Sequence, residues 1–303
     1  MRSVNSSVKG WKAAAAGLAV VIVIVVQALG LGAVWPQELA EPRLDEEIAK
    51  QEKIFQRRGA AVPSGYITNR GLSDYAELLP TGFCDALGRL GSSDRWLDIG
   101  AGAAQAILDY YAPEGDPPSG EKCARSVSKA RAVAMSIEDR RTDQWRQHAA
   151  RLGDDRIRYL TGKRLRHYSP EEIGKFQIIT DVYGGFSYTE DLSVFLETVL
   201  SLLDVDGAFY TIVQNVDLEA SKDNPTKGYQ TELVDAGRRG MKVCSWLKKT
   251  ACARVVCESK NDWDSPSELI NIRKVCSDVS ITRMKRLQYQ AGNPPSRRFH
   301  LEP

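Results

Sequence analysis

The sequence predicts an α/β domain built on a doubly wound, mostly parallel seven-stranded sheet that ends in an antiparallel hairpin, with an N-terminal hydrophobic helix in front of it. Three observations lead there. From about Pro63 onward, apolar runs of strand length alternate with helical patterns, and such alternation builds a parallel sheet covered on both faces. A glycine-containing turn, GAGAA at 100–104, joins the first of these runs to a helical one. The last two β-rich runs are separated only by KNDWDSPS, too short for a crossover helix, so they must reverse direction.

The elements follow in order. Residues 1–12 are a short tail. Residues 13–35, AAAAGLAVVIVIVVQALGLGAVW, carry no charge, and at about 1.5 Å per residue they span a hydrocarbon core of about 30 Å. This is a transmembrane or signal segment. The run from Ala13 to Val26 fits a signal core, and Gly30, Gly32 and Ala33 offer a cleavage site, so anchor and cleaved leader both stand. Lys and Arg are balanced on its two sides. Residues 36–62 are polar and read as a linker, leaving 63–303 as the folded domain. Strands are expected at Arg95–Ile99, Ala132–Ile137, Arg156–Leu160, Phe176–Val182 and Ala208–Val213. The clearest helix is Asp191–Leu203, where Leu192, Phe195, Leu196, Val199 and Leu203 recur at three- and four-residue steps. A further helix is expected over Thr231–Thr250, and the closing hairpin over Ala253–Ser259 and Glu268–Val275.

Composition narrows the function. Forty-one Lys plus Arg face thirty-nine Asp plus Glu in 303 residues, with 43% apolar residues. That balance excludes a disordered acidic chain and a polytopic membrane protein, and it offers no basic field for nucleic acid. Three histidines, and six cysteines without a CxxC spacing, point to no metal centre. The cysteines are expected as buried thiols; in an exported domain, Cys244, Cys252, Cys257 and Cys276 become disulfide candidates.

The chemistry sits in RWLDIGAGAAQAILDYY, residues 95–111. Gly100 and Gly102 permit turn angles that a Cβ forbids and let a ligand approach the main chain. A dinucleotide fingerprint needs a third glycine where Gln105 stands. Asp98, two residues before the first glycine, would repel a pyrophosphate but suits a zwitterionic amino acid beside a sulfonium.

With these residues in view, 65–298 resembles a class I S-adenosylmethionine-dependent methyltransferase, a Rossmann-like fold. The resemblance rests on DIGAGAA, with Ala104 where a third glycine is common, on AVAMSIED, and on FQIITDVYGGFSYTED. It implies that Asp98, Gly100 and Gly102 hold the donor, that Glu138 or the adjacent Asp139 binds its ribose, and that Asp181 lies at the site. Asp181 is the implied catalytic base, with Tyr183 behind it. Tyr183, Phe186 and Tyr188 either wall the substrate or pack the core. In LTGKRLRHY, Gly162 and Lys163 replace the family's usual Gly-Asp pair, so adenine contacts there fall to the backbone. Lys163, Arg164, Arg166 and His167 either recognise an anion or form a solvated loop. Upstream, Tyr66, Asn69 and Arg70 sit in a segment resembling a cap over the donor, whereas Tyr75, Leu78 and Leu79 read equally as helix packing.

The resemblance implies S-adenosylmethionine as co-substrate, without a metal. The fourth-strand loop lacks an Asn/Asp-Pro-Pro-Tyr motif, which favours a small-molecule or lipid-like acceptor over nucleic acid. With residues 13–35 as an anchor, the resemblance also favours a membrane-anchored protein with its domain in the cytosol, where the donor is made. The alternative is an exported, catalytically silent binding module. A nicotinamide-dependent oxidoreductase is disfavoured by Gln105 and the terminal hairpin.

Overall fold

The structure, a computed structural model, describes residues 68–112, 123, 129–214, 231–237, 239–285 and 297–302. The hydrophobic segment 13–35, the linker 36–62 and Tyr66 lie outside these residues. Among the described residues no helix is long and apolar enough to cross a membrane.

The chain opens with α1 (Leu72–Leu78) and α2 (Phe83–Gly88), then runs β1 (Arg95–Ile99), α3 (Gln105–Tyr110), β2 (Arg131–Met135), α4 (Asp143–Leu152) and β3 (Ile157–Leu160). A 3₁₀ turn at Leu165–His167 leads to α5 (Pro170–Ile173), β4 (Phe176–Val182), α6 (Gly185–Tyr188), α7 (Leu192–Leu202) and β5 (Leu203–Gln214). The last part holds β6 (Thr231–Val234), β7 (Gly240–Met241), α8 (Val243–Leu247), β8 (Ala253–Lys260), β9 (Ser267–Lys274) and β10 (Arg297–His300).

The main sheet has seven strands in the order β3-β2-β1-β4-β5-β9-β8. β1 to β5 pair in parallel, and β9 runs antiparallel to both β5 and β8. The expected doubly wound sheet with a reversed terminal hairpin is therefore present. Side chains alternate between two cores, as strand periodicity requires. Trp96, Ala132, Ile178 and Ile212 pack beneath α1–α4, whereas Leu97, Ile99, Ile179 and Phe209 pack against α7 and α8. The α7 stripe predicted from spacing is buried, and the Asp191 side chain caps the helix by accepting from the Val194 N–H at 2.9 Å. At the other end the buried Lys274 Nζ donates to the Leu200 and Leu203 carbonyls at 2.7 and 3.0 Å, placing a cation where the helix dipole favours one.

Two expectations are corrected. The helix over Thr231–Thr250 is instead β6, β7 and the short α8. Thr231–Val234 joins β10 in parallel and β7 antiparallel in a separate three-stranded sheet. Asp235 accepts from the Arg239 N–H at 2.8 Å, and this turn at Asp235–Arg239 stops a helix from continuing. The cysteines are not thiols. Cys84–Cys123, Cys244–Cys257 and Cys252–Cys276 are disulfides, with Cα–Cα separations of 4.5, 6.3 and 5.1 Å, within the usual range for the bond. The β8–β9 ladder pairs Ala253 with Lys274 and so carries Cys252 to Cys276. In the chain-entropy account, loops of this length are worth about 3–4 kcal/mol each.

Candidate functional site

Strand order reverses between β1 and β4, and in open α/β sheets ligands bind beyond the carboxyl ends of the strands at such a point. The GAGAA turn lies there. Gly100, Gly102 and Ala104 all take left-handed backbone angles, φ 72°, 54° and 58°. Ala104 does so with a Cβ, at a cost of about 1–2 kcal/mol, which is the conformational meaning of the missing third glycine.

What fills the space around the turn is the protein itself. A Cβ on Gly100 would lie 2.5 Å from the Gly184 Cα, so the β1 and β4 loops touch backbone to backbone. A Cβ on Gly102 would strike the Thr68 backbone, whose Cα would be 2.8 Å away. The Ala103 N–H donates to the Thr68 carbonyl at 2.5 Å, and the Tyr159 hydroxyl donates to the Gly102 carbonyl. Residues 68–71 thus form a strap. It begins on the turn, carries the Arg70 guanidinium over the Tyr183 ring at 5.1 Å, and runs into α1, whose Leu72 N–H donates to Asp109 Oδ2 at 2.8 Å.

Asp98 lies fully buried beneath the turn. The Tyr75 hydroxyl reaches both its oxygens at 2.9 Å, the Thr180 hydroxyl donates to Oδ1 at 2.8 Å, and Trp96 Nε1 in turn donates to Thr180 at 2.8 Å. Burial pushes the Asp98 carboxyl up to about 7, against the lowering effect of the Thr180 and Tyr75 hydrogen bonds, and the neighbouring Asp181 adds to the rise.

Asp181 lies near the carboxyl end of β4, where the site is expected. It is fully buried, and its Oδ1 and Oδ2 accept the Gly184 and Phe186 N–H groups at 2.8 Å each. In this arrangement it caps the loop that follows it. Burial pushes the Tyr183 hydroxyl up to about 12, with the nearby Arg70 guanidinium pulling the other way. The Tyr183 φ of 54° is left-handed for a residue with a bulky side chain. Phe186 is core, buried edge-to-face on Phe195 at 5.8 Å.

The residues expected on the adenosine side are engaged within the protein. Glu138 stands half-buried beyond β2, paired with Arg140. Asp139 pairs with Arg141 at 2.6 Å on the surface, and that guanidinium's hydrogen bonds hold its carboxyl well below the usual range. Of the two, Glu138 is nearer the strand end. The Gly162 N–H donates to the Ile137 carbonyl at 2.9 Å, so this backbone donor is used internally. Lys163 pairs with the surface Glu172 at 2.9 Å and belongs to a solvated loop.

Sequence reasoning missed Thr68, Tyr159, Thr180 and Trp96, and gave Tyr75 no partner beyond a cap segment or helix packing. The signal for Tyr75 was there in hindsight: a tyrosine facing inward near a buried aspartate needs a partner for its hydroxyl. The residues suit a sulfonium nucleoside in kind, with a glycine turn, a carboxylate beneath it and another at the neighbouring strand end. They suit it in space only when the strap leaves the turn, because Thr68 holds the Ala103 N–H and the surface of Gly102.

No known family profile and no curated protein sequence matches the chain. Solved structures resemble it at low identity. An rRNA methylase from Streptococcus thermophilus is 11% identical at a TM-score of 0.40, covering 70% of this chain and all of its own. A Burkholderia thailandensis 1,6-didemethyltoxoflavin-N1-methyltransferase, solved with its substrate and S-adenosylhomocysteine, is 15% identical at 0.43, over 89% of this chain and 94% of that one. Strand order says more than these scores: a parallel sheet that reverses at the glycine turn and is closed by an antiparallel hairpin is the arrangement that the resemblance to class I S-adenosylmethionine-dependent methyltransferases implies.

Proposed function

We propose that the domain binds S-adenosylmethionine over the β1–β4 switch point and directs its methyl group to a small-molecule or lipid-like acceptor. The observation that carries this is the placement of the Gly100–Ala104 turn directly above the buried Asp98, with Glu138 at the end of the adjacent strand. The bound donor supplies an electrophilic methyl group. The chain's own work is to hold and shield: once Thr68 leaves it, the turn admits close backbone approach, Glu138 offers two oxygens to a diol once it leaves Arg140, and Arg70 with Tyr183 walls the acceptor side. Such positioning alone lowers a displacement barrier by several kcal/mol.

Asp181 accepts two amides of its own loop and burial raises the Tyr183 hydroxyl, which supports an acceptor that brings its own lone pair at neutral pH, as a neutral amine or a thiolate does. A donor cation above Asp98 favours the ionised carboxylate, so donor binding should tighten as pH rises through about 7, the value to which Asp98 is raised. Titration calorimetry with S-adenosylmethionine at pH 6 and pH 8, on the wild type and on Glu138→Ala, tests the reading. Absence of binding by folded protein at either pH, or full affinity in the variant, overturns it.

The cysteine pairing favours a second reading, an exported and catalytically silent module that holds a ligand in the same crevice. All six cysteines are bridged, and such bonds persist in oxidising compartments rather than the cytosol, where S-adenosylmethionine is made. Residues 13–35 then serve as signal or outward-facing anchor; on the first reading they tether a cytosolic domain. Peptide mapping without reductant, on protein from its native cells, separates the two. Intact bridges together with no donor binding support export, and free thiols with binding support the enzyme.

A further inference from the structure

The two edges of the main sheet are built differently. β3 has four residues, and brevity is one way an edge avoids pairing with another chain. β8 has eight, pairs with β9 in unbroken register from Ala253↔Lys274 to Lys260↔Ser267, and has no strand on its other side among the described residues. It contains no proline and no bulge to blunt it. At its middle Val256 is 47% exposed, one of three large apolar residues so exposed among the described residues.

The charges around Val256 are arranged for self-recognition. Arg254, Val256 and Glu258 share one face of the strand. Arg254 is exposed and makes no ion pair with a described residue. Glu258 uses only Oε2, accepting the Thr81 N–H and hydroxyl at 3.1 and 2.9 Å. If a second β8 is laid antiparallel with a two-fold axis through Val256, Arg254 of each copy opposes Glu258 of the other. Val256 then meets its own symmetry mate, and Ala253 meets Ser259. Directly opposed unlike charges and β-branched pairs stabilise antiparallel strands, and a two-fold contact needs one self-complementary patch.

We infer that β8 is a docking strand for a second copy of this chain, joining two seven-stranded sheets antiparallel about Val256. The inference is independent of any ligand at the switch point. Sedimentation of the full-length protein in detergent across a concentration series tests it. Wild type should dimerise. Arg254→Glu or Glu258→Arg alone sets like charges opposite each other twice and should weaken the dimer roughly two- to thirtyfold. The double reversal should restore it, and a mixture of the two single variants should form heterodimers. A wild type that stays monomeric, its edge covered by another part of the chain or left bare, overturns the inference. So does a dimer indifferent to Arg254→Glu, a substitution that disturbs no described partner. Should Glu258→Arg unfold by losing Thr81, Arg254→Glu alone still decides the matter if its melting temperature is unchanged.

Discussion

Asp98 and Asp181 close the ends of adjacent parallel strands, one register step apart, and both are sealed from water. They do different work. Asp98 faces the α1 side and is satisfied by hydroxyls borrowed from Tyr75 and Thr180, so its protonation still responds to what lies above it. Asp181 faces the other way and is consumed by two amides of the loop that follows it. An acid at a strand end is thus joined to a distant helix or clamped to its own loop according to who donates to it. Burial alone does not tell them apart.

The sharpest way to break the comparison is to remove the clamp. Asp181→Ala orphans two buried amides, and at about 1–3 kcal/mol each it should lose roughly 2–6 kcal/mol in urea denaturation with the disulfides intact. Asp181→Asn, keeping one acceptor, should lose about half as much. Next comes Asp98→Asn. The folded carboxyl is raised to about 7 from its ordinary value of 3.8, so the unfolded chain gives up its proton first. Wild-type stability should therefore fall as pH rises from about 4 to about 7, by at most about 4 kcal/mol. The variant cannot titrate at this position: its stability should be flatter over that window and exceed wild type at pH 8, while donor binding is lost. Equal pH slopes would show that Asp98 is ordinary.

Smaller effects probe the strap. Asp109→Ala removes the acceptor of the Leu72 N–H and should cost about 1 kcal/mol, yet speed donor association in stopped-flow measurements by loosening residues 68–71. Smallest of all, Lys163→Ala should leave both melting temperature and donor affinity nearly unchanged, since the exposed side chain pairs with Glu172 and lies over the Tyr168 ring at 5.3 Å.

Much of the fold was legible because its signals are local. The β4 run from Phe176 to Val182 and the α7 stripe were read to within a residue, and the hairpin followed from the length of one loop. The β6–β7–β10 sheet was not legible, because the partner of Thr231–Val234 lies more than sixty residues away at Arg297–His300. The site divided in the same way. A glycine turn after a strand can be seen in one dimension. That Asp181 folds its own loop around itself depends on φ at Tyr183 and on the Gly100–Gly184 approach, neither of which is written in residue type. The expectation of free thiols failed because spacing alone does not reveal that β8 and β9 carry Cys252 to Cys276.

Those bridges alter what cutting the chain would do. A protease that severs the connection at 261–266 leaves the pieces covalently joined through Cys252–Cys276, and a cut within 113–122 is spanned by Cys84–Cys123. The clipped molecule would migrate as one species until reductant released its fragments, so the domain could be nicked in either place and still travel as a unit.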